Sequence, residues 1–189
     1  MMQPGFTDPV LDAQSCFRAV LEAMSRPGLV QQAGAGLTPP APLAPATAAV
    51  LLTLADAETP IWQDAGDAAA EWLRFHAGCP LVAAPAQAAF LLATGAPPSL
   101  DSLALGTDEE PQAGATLILQ VAALEQAPGL TLSGPGIEHT HALRVDGLPP
   151  GFWAARQKLR PLFPRGIDLI LCAGTRLAAL PRTTRVTEG

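Results

Sequence analysis

A chain of 189 residues, 49% hydrophobic and only 15% charged, has enough apolar mass to build a core without metals or disulfides. Its net charge of −6, with Lys158 as the sole lysine, excludes the basic stripe that nucleic-acid binding needs, and with it an electrostatic hold on anionic membranes. The charged share lies below the usual value of about 25%, so part of the surface is expected to be covered by another chain.

Asp8-Pro9 is a helix start, a capping carboxylate followed by proline where a missing N–H costs nothing. Leu11, Phe17, Val20, Leu21 and Met24 then recur at helical spacing and predict one buried face, ended by Pro27-Gly28. Residues 34–45 carry glycine and proline without periodicity and predict a loop. A second helix is expected over residues 46–54, a short strand at Ile61-Trp62, and a third helix over residues 67–75 with Ala69, Trp72 and Phe75 on one side. Residues 80–83 and 88–92 are short apolar runs that suit buried strands.

Residues 107–114, with Asp108-Glu109-Glu110, read as a solvated loop. Residues 115–124 predict a central strand, apolar on both faces, and residues 130–132 a second strand stopped by Gly134-Pro135-Gly136. An amphipathic helix over residues 153–163 and strands over residues 167–172 and 177–181 complete the series. Doubly apolar strands alternating with helices predict an α/β fold, a mixed sheet between helical layers, with one domain spanning residues 1–189. The N-terminal residues lack a basic stretch followed by an apolar one, and no apolar run reaches the roughly 18 residues of a membrane span. The expected compartment is the cytosol.

Four clusters are candidates for chemistry. His139 and His141 lie on one side of an extended segment and can seed a metal site, although a polar hairpin is the favoured reading. His76 and Cys79 sit near a helix end, where a histidine complements the negative pole without further function. Ser133-Gly134-Pro135-Gly136-Ile137 follows a strand and lets backbone approach a ligand, or simply makes a tight turn. Arg165 and Asp168 lead into one strand, and Arg182, Thr183 and Thr184 follow another. Arginine forks beside threonine hydroxyls suit phosphate or carboxylate recognition. The same residues also suit an ion-paired loop or an interface, and the two readings stand level. The widely spaced Cys16, Cys79 and Cys172 support neither a zinc site nor a disulfide framework. The residues by themselves nominate no catalytic group.

Several ordered blocks resemble the PhnH family of bacterial carbon–phosphorus (C–P) lyase systems. They include Asp8-Pro9-Val10 with Asp12-Ala13-Gln14, Ala23-Met24-Ser25, Thr59-Pro60-Ile61-Trp62 and Leu73-Arg74-Phe75-His76. Further on come Gly134-Pro135-Gly136-Ile137, Gly166-Ile167-Asp168-Leu169 and Pro181-Arg182-Thr183-Thr184. The resemblance implies a subunit of the C–P lyase core complex, with partners PhnG, PhnI and PhnJ and a homodimer when isolated. It implies a place where a phosphonate replaces the adenine of ATP, giving a ribose 1-phosphonate 5-triphosphate. It also implies a three-layer αβα sandwich like the large domain of pyridoxal-phosphate-dependent transferases. Such an enzyme needs a Schiff-base lysine, and Lys158 falls on a helix expected to be solvated. Neither that cofactor nor a cluster-binding cysteine motif is therefore expected. Two functions follow: an assembly subunit, or a phosphonate- or nucleotide-binding protein using the arginine–threonine cluster.

Overall fold

In the computed structural model, which describes residues 2–189, Asp8 caps α1 (Pro9–Ser25) by accepting from the amides of Val10 at 3.1 Å and Leu11 at 3.0 Å. The buried residues of α1 are Cys16, Val20 and Ala23, with Met24 packed partly buried beside them, so the expected face is met at Val20 and Met24 but not at Leu11, Phe17 and Leu21. Leu11, Phe17 and Leu21 are 62%, 51% and 57% exposed, and Val10 is 75% exposed. The reason is close packing: small side chains let α1 settle on its neighbours, which turns the bulky apolar residues toward solvent.

Those neighbours are α2 (Pro45–Leu54), buried along most of its length, and a strand from the C-terminal region. In α3 (Asp67–Ala77), Trp72 and Ala69 are fully buried as expected, but Phe75 points outward at 70% exposure. The fourth helix, α4 (Phe152–Lys158), is shorter than expected, because Pro161 tightens the chain into a 3-10 turn at Arg160–Leu162.

Among the described residues, nine strands form two sheets: β1 (Gln31–Gln32), β2 (Ile61–Gln63), β3 (Phe90–Ala93), β4 (Thr116–Gln120), β5 (Ala123–Ser133), β6 (His141–Asp146), β7 (Asp168–Ala173), β8 (Arg176–Leu180) and β9 (Arg185–Glu188). The larger has the order β1-β8-β7-β4-β3-β2, with β2, β3, β4 and β7 parallel and β8 running antiparallel to both of its neighbours, β7 and β1. The smaller is antiparallel, in the order β6-β5-β9.

Three sequence expectations change here. The apolar run of residues 115–124 is not one strand: after Gln120 the chain leaves the large sheet, Val121 still donating to the Cys172 carbonyl and Ala122 already to Asp146. Apolar content cannot reveal such a switch, because both sheets offer buried positions. Residues 80–83 form only an isolated bridge between Leu81 and Ile61. The second outer layer is also not purely helical. Ile118, Ile170, Cys172, Leu177 and Ala179 face α1, α2 and α3, whereas Leu117, Leu119, Leu169, Leu171 and Leu180 face α4 and the small sheet. The fold is thus α/β with a mixed six-stranded sheet, one side covered by helices and the other by a helix and a three-stranded sheet.

The carboxyl ends of parallel strands are the usual place for a ligand crevice. At β4 this end is filled by the chain itself. The Gln120 amide oxygen accepts from the Ala44 amide at 2.7 Å and the Thr47 hydroxyl at 3.0 Å, and its amide nitrogen donates to Pro42 at 2.7 Å. The loop before α2 is thereby latched over the sheet. The arginine–threonine cluster lies at the opposite edge, where β7 begins and β8 ends.

Candidate anion site at the amino edge of the sheet

Asp168 opens β7, and Arg182 follows the end of its antiparallel neighbour β8, so the sheet register brings them together. One Asp168 oxygen accepts from the Arg182 amide at 2.7 Å and from Nε at 3.3 Å; the other accepts from a terminal guanidinium nitrogen at 2.7 Å. The other terminal nitrogen donates to the carbonyls of Pro111 and Pro164. With side chains only 15% and 23% exposed, this pair ties both strands to two loops. Gly114 makes room for it: a β-carbon there would collide with the Gly166 carbonyl and crowd the Arg182 guanidinium at 3.0 Å.

The other candidates separate. Thr183 is exposed, whereas Thr184 is buried and its hydroxyl has no partner. The Thr184 carbonyl accepts from Arg156 at 2.9 Å. Since its hydroxyl is already unsatisfied, Thr184→Val removes an uncompensated polar group and keeps the shape. Urea unfolding is expected to show Thr184→Val as stable as the wild type or more stable by up to about 1 kcal/mol. A loss of that size would assign the hydroxyl a role. Arg165 lies 3.2 Å from Asp108 as an exposed pair whose Nε–H is poorly directed for a hydrogen bond. Such pairs contribute little to stability.

Arg156, which the sequence analysis did not single out, is 95% buried. It donates to the carbonyls of Thr184, Pro181 and Leu180, binding α4 to the turn that carries Arg182, while its Nε finds no acceptor. Burial pushes its guanidinium down to about 10, opposed by the charge of Asp168 and assisted by Arg160. The spacing of Arg156, Arg160 and Phe163 at i, i+4 and i+7 was the available signal for a shared face.

The histidines are structural or exposed. His141 Nδ1 lies 2.7 Å from the Pro27 carbonyl, and His139 projects into solvent from the turn before β6. His76 and the Trp72 indole converge on the Gln3 carbonyl, each at 3.0 Å. Among the described residues, no three metal-ligating side chains converge. All three cysteines are buried, and burial raises their thiols above the ordinary range, Cys172 to about 12. Lys158 is exposed on the last turn of α4, and so does not fit the buried setting of a Schiff-base lysine.

Two clefts meet beside this framework. One, of about 460 Å³, is lined by Ser133, Gly134 and Pro135, by Arg185, which pairs with Ser133 across β5 and β9, and by Arg160 and Phe163. It narrows into a recess of about 20 Å³ lined by Arg156, Arg160, Arg165 and Arg182. Fold and site together define an α/β protein with an arginine-rich cleft at the amino edge of its sheet and an uncovered apolar helix face.

The family model for the bacterial phosphonate metabolism protein PhnH matches residues 4–187, and the chain belongs to that family. It is 40% identical to the alpha-D-ribose 1-methylphosphonate 5-triphosphate synthase subunit PhnH of Rhizobium meliloti, over 96% of this chain and 93% of that protein. It is 35% identical to the putative C-P lyase subunit protein HtxG of Stutzerimonas stutzeri, over 92% and 85% respectively.

Proposed function

We propose that this protein is an accessory subunit of a C–P lyase complex. It supports the exchange in which methylphosphonate displaces adenine from ATP, leaving ribose 1-methylphosphonate 5-triphosphate and adenine. The observation that carries this reading is the outward face of α1. Val10, Phe17 and Leu21 fall within about 40° of one another around the helix axis at 100° per residue. All three are more than half exposed, and Leu11 extends the patch. A contiguous apolar stripe of this kind fits a protein partner. Its relatives' names as synthase and C–P lyase subunits support other subunits of such a complex as partners; in this reading they are PhnG, PhnI and PhnJ, with a second copy of the chain on the same face when they are absent.

Arg182, Asp168, Arg165, Thr183 and Thr184 belong to the same proposal as the frame of an anion-binding or interface region. A fold like the large domain of pyridoxal-phosphate-dependent transferases, without the cofactor lysine, belongs to the same proposal. No helix of the described residues is long and apolar enough to cross a membrane, which accords with a cytoplasmic complex.

Co-expression decides the reading. The tagged chain is expected to retain PhnG, PhnI and PhnJ through gel filtration, and alone to release no adenine from ATP and methylphosphonate. Elution separate from all three partners, or adenine release by the chain alone, would overturn it.

A further inference from the structure

We propose that the cleft between α4 and the β8–β9 turn binds the phosphate chain of a nucleotide-like ligand, held by Arg160 and Arg185 with Phe163 against its ring. This deepens the preceding section and rests on it for the identity of the ligand; the cleft's anion preference stands on its own geometry.

Five guanidiniums line the cleft and its recess: Arg156, Arg160, Arg165, Arg182 and Arg185. The carboxylates among them are Asp168 and Asp108, which hold Arg182 and Arg165. Among the described residues, Arg160 and Arg185 have neither an ion pair nor a side-chain hydrogen bond, although both border the open cleft. A chain of net charge −6 thus concentrates uncompensated positive charge at one concave place. Structural arginines have partners, as Arg156 and Arg182 do here; Arg160 and Arg185 do not.

The deep end supplies a second, independent observation. Arg156 is 95% buried and lines the recess, and its Nε–H has no acceptor. An unsatisfied buried donor on a charged group is costly unless a water or a ligand atom meets it. A recess of about 20 Å³ admits one atom group of water size. It therefore suits a single oxygen of an anion seated in the cleft, or a bridging water beneath it.

The arrangement selects the anion. A carboxylate is planar and is satisfied by one guanidinium fork. Here the donors come from separate elements: Arg160 from the 3-10 turn after α4, Arg185 from the start of β9 with the Ser133 hydroxyl beside it at the end of β5, and the Thr183 hydroxyl from the β8–β9 turn. Donors spread around a volume suit tetrahedral oxyanions linked in a chain. Phe163, 62% exposed beside the cleft, pairs with no other aromatic ring among the described residues and presents a surface that a flat ring can cover. The cleft volume of about 460 Å³ falls within the range of small-molecule sites.

Calorimetry on the full chain tests this with ATP, tripolyphosphate and adenosine as probes. ATP and tripolyphosphate are expected to bind, both weakening as salt rises, and adenosine to bind at least about tenfold more weakly than ATP. Arg160→Gln/Arg185→Gln keeps the aliphatic stems and is expected to weaken ATP at least about tenfold with an unchanged circular dichroism spectrum. Phe163→Ala is expected to weaken ATP but not tripolyphosphate. No heat from millimolar ATP or tripolyphosphate, equal affinity for adenosine, or full affinity in the double variant would each overturn the proposal. Loss of partner capture by the double variant with ATP affinity intact would make the cleft an interface and overturn it likewise. Failure of the subunit reading is scored separately, by co-purification of the wild-type chain.

Discussion

Asp168→Ala is expected to lower the stability of the chain by about 3 kcal/mol, because it strands the Arg182 guanidinium in a site that is 15% exposed. The loss has two parts. The ion pair disappears, and so does the acceptor for the Arg182 backbone amide, which Asp168 takes at 2.7 Å. The carbonyls of Pro111 and Pro164 still receive part of the guanidinium, which keeps the loss at the lower end for a broken buried pair. For a domain of this size the melting temperature should fall by roughly 6–12 °C. Removing both partners with Asp168→Ala/Arg182→Met should cost less than the two single changes added together, with a coupling of about 2 kcal/mol in urea unfolding. A fall below about 1 kcal/mol in Asp168→Ala would show that water already reaches the pair well enough to replace it.

The second large effect concerns assembly. Phe17→Asp/Leu21→Asp places two carboxylates in the centre of the outward stripe of α1. Both positions are more than half exposed in the isolated chain, so its thermal unfolding should change little. In a complex that covers the stripe, the double variant loses the burial of two large apolar side chains, about 1.5–3 kcal/mol each, and buries unpaired charge as well. Retention of partner subunits should therefore fall by at least about 100-fold. Gel filtration followed by a pull-down reads both numbers. Undiminished capture would move the interface away from α1.

Local signals were legible wherever chemistry and chain direction coincide. Asp8 before Pro9 marked the start of α1, and Gly78, at φ +65°, ends α3 within a few residues of the expected stop. The doubly apolar run leading from Ile167 did become β7, in the middle of the large sheet. Less legible was the direction in which amphipathic residues point. Phe17 and Val20 both satisfy a helical repeat, but only contact with α2 and β8 decides that Val20 is buried and Phe17 is not. The break at Val121 and Ala122 was not legible for a related reason: apart from Gln120 the run is apolar on both sides of it, and the switch is made by backbone hydrogen bonds to β7 and β6.

The site shows the same division. Composition alone placed seven of the ten arginines at or beyond Arg144 and left the chain otherwise acidic, which marked this region as the place for an anion or an interface. It did not distinguish the arginines from one another. Arg182 and Arg156 are neutralised or hydrogen-bonded by groups distant in sequence, Asp168 and the carbonyls of the β8–β9 turn. Arg160 and Arg185 have no such partners and face the cleft. Charge, capping and hydrophobic period are properties of neighbours along the chain, so residue order determines them. Which guanidinium is satisfied and which is left open depends on strand register and loop closure, and those are settled only when the sheets pack.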